Sequence, residues 1–83
     1  MRCRSITNHT FDAYRWEGDK STFPDWLKGA EVEDNPHHGK LLLLEPYKVR
    51  PGRWILRSDD RKVGVFPVTE ELFARHYTLD EEA

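Results

Sequence analysis

The sequence predicts an α+β domain, a small antiparallel sheet or half-open barrel in the order β-α-β-β-β-α, with one or two short helices packed on it. Three observations lead to this prediction. Several short segments are rich in aromatic and branched apolar residues, Gly and Pro separate them at short intervals, and one capped segment near the carboxyl end has helical periodicity. Strands and helices joined by short connections are typical of the α+β class.

Length and composition predict a single domain over residues 1–83. A chain of 9.8 kDa buries about 60% of its unfolded surface. Hydrophobic residues make up 37% and charged residues 34% of the chain, and the three Trp, three Tyr and four Phe are too many for a disordered segment. Small cores supply only a few kcal/mol of net stability, so a homodimer stays open as an alternative.

Charge and cysteine content narrow the class of protein further. The net charge of −2 provides no overall attraction to nucleic acid or to an anionic membrane. The lone Cys3 cannot form an intramolecular disulfide, and the first residues lack the apolar stretch of a secretory signal. The longest apolar run, residues 41–44, is too short to span a membrane. We therefore expect a protein of the cytoplasm.

The first half of the chain predicts a strand, a short helix and a loop. Residues Thr10–Trp16 alternate in an aromatic-rich pattern that is typical of a strand. Thr22 and Asp25 resemble a capping box that would begin a helix over residues 23–28, with Gly29 as a left-handed cap. Residues 31–39 contain Pro and Gly without a sustained period, which predicts a surface loop.

The second half predicts three strands, over residues 41–44, 53–57 and 62–66. The apolar run at 41–44 indicates a central strand that is covered on both faces. Pro51-Gly52 predicts a turn in which Gly supplies a positive φ. The short polar connection at residues 59–61 predicts an antiparallel hairpin, and Pro67 is expected to end its second strand.

A helix is predicted over residues 70–77, followed by a solvated acidic tail at 80–83. Thr69 is a favourable N-cap, and the glutamates that follow it lie at the positive end of the helix dipole. Phe73 and Tyr77 are four residues apart, so the helix presents one aromatic face to the sheet.

Two separated motifs carry a family resemblance. Residues 11–19, FDAYRWEGD, are similar to a pattern I-E-A-x-x-W-x-G-D, and residues 49–55, VRPGRWI, are similar to V-x-P-G-D-[YW]-I. A Phe-Pro pair at 66–67 and an F-x-x-x-Y helix at 73–77 follow in the same order. With these motifs, the chain resembles a family of short proteins of unknown function encoded mainly by bacteriophages and prophages. Arg53 and Val68 depart from the acidic residue and the cysteine that are common there.

The resemblance implies a phage origin and a compact fold, with the cytoplasm of a bacterial host as the location. It implies no activity. No nucleophile elbow, metal-ligand spacing or Gly-rich phosphate loop is visible in the sequence. His37 and His38 are adjacent and would point in different directions on an extended chain, so we interpret them as loop residues. We predict no metal, no cofactor and no enzymatic activity.

Two surfaces are candidates for binding. Ten aromatic rings are more than a small core readily buries, and Trp26 with Leu27 on the first helix is the patch we predict to contact a partner protein. The alternative is a basic and aromatic strand face that would bind nucleic acid or a phosphorylated small molecule, through Arg50, Arg53, Trp54 and Arg57. Alternation places Trp54 on the face opposite Arg53 and Arg57, which favours a core role for this ring.

The leading hypothesis is a phage-encoded, non-catalytic protein that modulates a host factor by protein–protein contact. A binder of nucleic acid or a phosphorylated small molecule is the main alternative. A minor virion component is the third.

Overall fold

The computed structural model describes residues 1–44, 46–60 and 63–80 as an α+β fold, which confirms the predicted class. It contains two antiparallel sheets, one α-helix and two single-turn 3-10 helices, and no closed barrel. The strands are β1 (Arg2–Ser5), β2 (Thr10–Trp16), β3 (Glu31–Asn35), β4 (Gly39–Leu44), β5 (Tyr47–Val49), β6 (Arg53–Ser58), β7 (Val65–Val68) and β8 (Tyr77–Asp80). The helix α1 spans Glu70–His76.

The larger sheet has five strands in the order β7-β6-β2-β1-β8. Its centre is the pairing of β2 with β6, which runs from Phe11 opposite Ser58 to Trp16 opposite Arg53. The predicted hairpin is confirmed, since β6 pairs antiparallel with β7. The chain then crosses one face of the sheet as α1 and returns as β8 on the other edge, beside β1.

The smaller sheet has three strands in the order β3-β4-β5. In the sequence, these strands lie between β2 and β6. The predicted central strand is confirmed, because β4 contains residues 41–44 and lies between two partners. Leu42 is fully buried and packs with residues of the larger sheet, among them Trp16 and Ile55. The smaller sheet therefore covers the face of the larger sheet that α1 leaves open.

The alternation of side chains along β2 and β6 divides the interior into two cores. Phe11 and Ala13 face α1, together with Trp54 and Leu56. Residues on the opposite face form the other core with the smaller sheet and the 3-10 helices, and its buried members are Tyr14, Trp16, Phe23, Leu27, Leu42, Val49 and Ile55. Because each strand contributes to both cores, the pairing of β2 with β6 positions both.

The predicted helix over residues 23–28 is wrong. Two 3-10 helices, Lys20–Thr22 and Asp25–Leu27, take its place. Phe23 precedes Pro24 and has an extended backbone (φ −58°, ψ 134°), as the proline ring requires of its neighbour. The side chain that caps the first 3-10 helix is Asp19, which accepts a hydrogen bond from the Ser21 N–H, and Gly29 does not have a positive φ.

Several strand boundaries also differ from the predictions. Residues Glu31–Asn35 form β3 and not a loop, so only residues 36–38 connect β3 to β4. The Asn35 side chain accepts hydrogen bonds from the backbone N–H groups of His37 and His38, which closes that turn. Pro67 does not end β7, because an edge strand tolerates its missing N–H.

The carboxyl end departs from the sequence prediction as well. Tyr77 begins β8 and does not continue the helix, and Asp80 is the last residue of that strand. The remainder of the predicted acidic tail, residues 81–83, lies outside the described residues, as do Arg61 and Lys62 of the predicted hairpin. By contrast, the Thr69 N-cap is confirmed, because its hydroxyl accepts a hydrogen bond from the Leu72 N–H at 3.2 Å.

The fold makes a matched prediction for two leucines. Leu42 is 0% exposed and Leu72, on the outer side of α1, is 45% exposed. We expect Leu42→Ala to lower the free energy of unfolding by about 2–5 kcal/mol, because it leaves a cavity between the two sheets. Leu72→Ala should change it by no more than about 0.5 kcal/mol. Urea unfolding followed by circular dichroism measures both, and equal losses would contradict this packing.

Candidate functional site

Trp54 lies apart from Arg53 and Arg57, the other residues of β6 in the predicted basic and aromatic strand face. Its ring stacks on Phe73 of α1, with ring centroids 4.0 Å apart and an interplanar angle of 7°. Arg53 and Arg57 lie on the other face of β6, as the alternation predicts. Trp54 is therefore a core residue, and it cannot stack on a ligand held by those arginines.

Leu27 is also a core residue, because only 3% of its surface is exposed. Trp26 beside it is half-buried and packs against the same core. The guanidinium carbon of Arg57 lies 5.4 Å from the centroid of the Trp26 ring, which is a cation–π contact. The structure thus brings together one residue from each of the two predicted surfaces, and we call this pair the Trp26/Arg57 site.

A network of ion pairs holds the Arg57 side chain in place. The Nε of Arg57 donates to Asp12 at 2.8 Å, and the Nη1 of Arg2 donates to the other oxygen of the same carboxylate at 2.8 Å. Arg2 also donates from both terminal nitrogens to Asp59, at 3.0 and 2.8 Å, and the Thr10 hydroxyl donates to Asp59 as well. Planar paired contacts of this kind fix the orientation of a guanidinium group.

The network changes the titration of its carboxylates. Hydrogen bonds from Arg2 and from Thr10 lower the pKa of Asp59 to about 2. Partial burial raises the pKa of Asp12, but hydrogen bonds from Arg2 and Arg57 outweigh this effect and lower its pKa overall. Hydrogen bonds to Asp59 and then to Asp12 raise the pKa of Arg2. All these groups therefore remain charged at neutral pH.

A concave surface lies at the other end of the face of β6 that carries Arg57 and Arg53. It is an open cavity of about 390 Å³ between the edge strands β5 and β7, which we call the Tyr47 groove. Its lining residues are Tyr47, Lys48, Val49, Arg50, Arg53, Pro67, Val68 and Thr69. Arg50 and Arg53 of the predicted basic face meet here, whereas Arg57 and Trp54 do not take part.

Among the described residues that line the Tyr47 groove there are three cations and no carboxylate. Lys48 lies 3.5 Å from Glu33 of β3, on the outer side of the smaller sheet. Arg50 and Arg53 form no ion pair with any residue in the described parts of the chain. Tyr47 is 51% exposed.

Other groups do not assemble into a site within the described residues. No group of three His, Cys, Asp or Glu side chains is placed there to hold a metal ion. Cys3 is buried under α1 and β8, and this burial raises the pKa of its thiol to about 11. No described helix is long and apolar enough to cross a membrane.

Sequence reasoning did not identify Tyr47 as a site residue, and it did not connect Asp12 with Arg57. Tyr47 and Lys48 follow a proline and belong to a strand of three residues, too short to produce a periodic pattern. Asp12 lies on the same face as Arg57 only because β2 and β6 are neighbours, which no local pattern reveals. The one available signal was the alternation of side chains along the strand. Asp12 is two residues from Tyr14 and therefore lies on the same face as Tyr14, opposite to Phe11.

No family model matches this chain, and neither a curated protein nor a solved structure is significantly similar to it.

The network predicts a defined loss of stability in acid. The pKa of Asp59 is below its unfolded value of about 3.9, so its contribution to stability is complete above about pH 4 and is lost as the pH falls towards about 2. The lowered pKa of Asp12 acts in the same direction. We expect the wild type to be more stable than the double variant Asp12→Asn/Asp59→Asn at about pH 5, with the difference shrinking by about pH 2.

Urea unfolding at a series of pH values measures this difference. Asp34→Asn is the control, because Asp34 is a largely exposed carboxylate that lies 4.0 Å from Lys40 outside the network. Its effect should be small at every pH. A difference between the wild type and the double variant that stayed constant with pH would contradict the assigned pairings.

Proposed function

We propose that this chain is a non-catalytic binding protein of phage origin, which modulates a factor of its bacterial host by protein–protein contact. The origin and the location in the host cytoplasm rest on the family resemblance of residues 11–19 and 49–77. The contact itself is supported by the geometry of the Trp26/Arg57 site, where an indole and a guanidinium are stacked at the surface.

The residue types at this site support a role in protein contact. Trp and Arg are the side chains most enriched among residues that dominate binding energy at protein interfaces. Arg57 is 47% exposed at the side chain, and Trp26 keeps part of its ring accessible although it packs on the core. Both can therefore contact a partner without any rearrangement of the interior.

The rigidity of the site is the single observation that carries the proposal. Two nitrogens of Arg57 donate hydrogen bonds to Asp12, and Trp26 packs against the core. Side chains that are fixed before binding lose less conformational entropy when the complex forms. Arg2 and Asp59 continue the surface as a polar border, which resembles the polar rim around an interface anchor.

The surface makes a prediction about partner binding. Wild-type protein is immobilised and exposed to a bacterial lysate, and a captured protein is purified and titrated against each variant. We expect Trp26→Ala to weaken its binding by about 30-fold or more, as truncation of an interface anchor does. Arg57→Ala should also weaken binding of the captured protein, although it leaves the Trp26 ring in place.

Leu72→Ala is the matched control, because it truncates an exposed apolar residue on the opposite side of the larger sheet. It should leave the affinity unchanged. Circular dichroism reports whether each variant is folded, and Trp26→Leu replaces Trp26→Ala if the ring proves necessary for folding. Sedimentation of the purified protein tests whether the partner is a second copy. Equal affinity of the wild type and a folded Trp26 variant for the captured protein would contradict the proposal.

A further inference from the structure

We propose that the Tyr47 groove is a binding site for a nucleoside phosphate, with the phosphates held by Arg50 and Arg53 and the base stacked on Tyr47. This site is independent of the Trp26/Arg57 site. Arg53 and Arg57 are four residues apart on one face of β6, which separates them by about 13 Å.

The groove carries positive charge that no carboxylate among its described lining residues compensates. Arg50 in the turn after β5 and Arg53 of β6 line one cavity, and none of the lining residues that the structure describes is acidic. Lys48 also lines it but is paired with Glu33. Elsewhere Arg2, Arg15 and Arg57 are each paired with a carboxylate, whereas Arg50 and Arg53 have no such partner within the described residues. Guanidinium groups match the oxygens of phosphate with paired hydrogen bonds.

The backbone around the cations is fixed by the fold. Val49 is buried in the core, and the Gly52 N–H donates to the carbonyl of Trp16 at 2.6 Å. Gly52 has a φ of +94°, which the turn after Arg50 requires. Arg50 and Arg53 therefore extend from a turn that is anchored on both sides, so the relative position of their backbones is set before a ligand arrives.

Tyr47 adds an aromatic surface to the same cavity. Its ring is half exposed and lies on an edge strand, and the neighbouring walls of the groove include Pro67 and Val68. Bases stack on exposed aromatic rings of this kind without regard to sequence. A ligand with both a phosphate and a planar base uses the whole groove, whereas a simple inorganic anion would use only its basic side.

The charge distribution favours a nucleotide over a polynucleotide. Readers of nucleic acid follow the backbone with a long basic stripe. Here the basic zone is short, because Glu70 and Glu71 directly follow the lining residue Thr69, and the chain carries a net charge of −2. The cavity of about 390 Å³ lies in the lower range of small-ligand pockets.

A titration monitored by the backbone amide resonances of isotopically labelled protein tests the site. The probes are ADP, pyrophosphate, adenosine and a ten-nucleotide thymidine strand. We expect ADP to shift the resonances of residues 47–50 and 53 in a saturable manner, with pyrophosphate weaker and adenosine without effect. The binding of ADP should weaken as salt is raised, because the contact is ionic.

Variants separate the two parts of the groove. Arg50→Gln/Arg53→Gln should weaken ADP binding by about tenfold or more, through the loss of charge-assisted hydrogen bonds. The charge-matched control is Lys20→Gln/Arg75→Gln, which removes two cations that do not line the groove. Tyr47→Leu should weaken ADP by about fivefold or more and leave pyrophosphate unchanged, since only the base stacks.

Three results would overturn the proposal. The first is the absence of saturable shifts at residues 47–53 with ADP. The second is an equal loss of ADP binding in the groove variant and in its charge-matched control. The third is a thymidine strand that binds more tightly than ADP with a steeper dependence on salt, which would assign the groove to single-stranded nucleic acid. In the Arg50→Gln/Arg53→Gln variant, loss of ADP binding together with retained capture of the partner protein would support two independent sites.

Discussion

The antiparallel pairing of β2 with β6 is the constraint on which both cores and both surfaces depend. Ala13 and Leu56 lie opposite one another and face α1, while Tyr14 and Ile55 face the smaller sheet. A shift of the register by one residue would exchange the two faces, placing apolar rings in water and charged groups in the cores. This central ladder joins the two halves of the chain, as the pairing of β1 with β8 does at one edge, and the short inserted sheet and the helix cover its two faces.

The same alternation positions the polar groups. On the face covered by the smaller sheet, the apolar part of β6 is the single residue Ile55, and arginines lie on either side of it at 53 and 57. The smaller sheet covers the middle of this face and leaves its two ends open. One end carries Arg57, which is paired with Asp12 and stacked on Trp26. The other carries Arg53, which has no carboxylate partner in the described part of the chain. In our proposals, the first end contacts a protein and the second binds an anion.

The elements with strong local signals could be predicted from the sequence. The alternation in β2, the Pro51-Gly52 turn and the Thr69 cap are all encoded within a few residues, and the structure confirms them. The strands β1, β5 and β8 have three or four residues each and depend on long-range pairing, so no local pattern distinguishes them from loops. For the same reason the surfaces were only partly predicted: residue types identified Trp26, Arg50, Arg53 and Arg57, but only the pairing of strands shows which of them meet.

Native-state amide hydrogen exchange tests the central ladder most directly. We expect the slowest exchange at the hydrogen-bonded amides within residues 14–16 and 54–56, with opening free energies equal to that of global unfolding, because this pairing lies between the two cores and breaks only when both have opened. Amides of the smaller sheet should exchange through smaller openings. The opposite order, with β3 to β5 protected most strongly and β2 and β6 opening locally, would contradict the account.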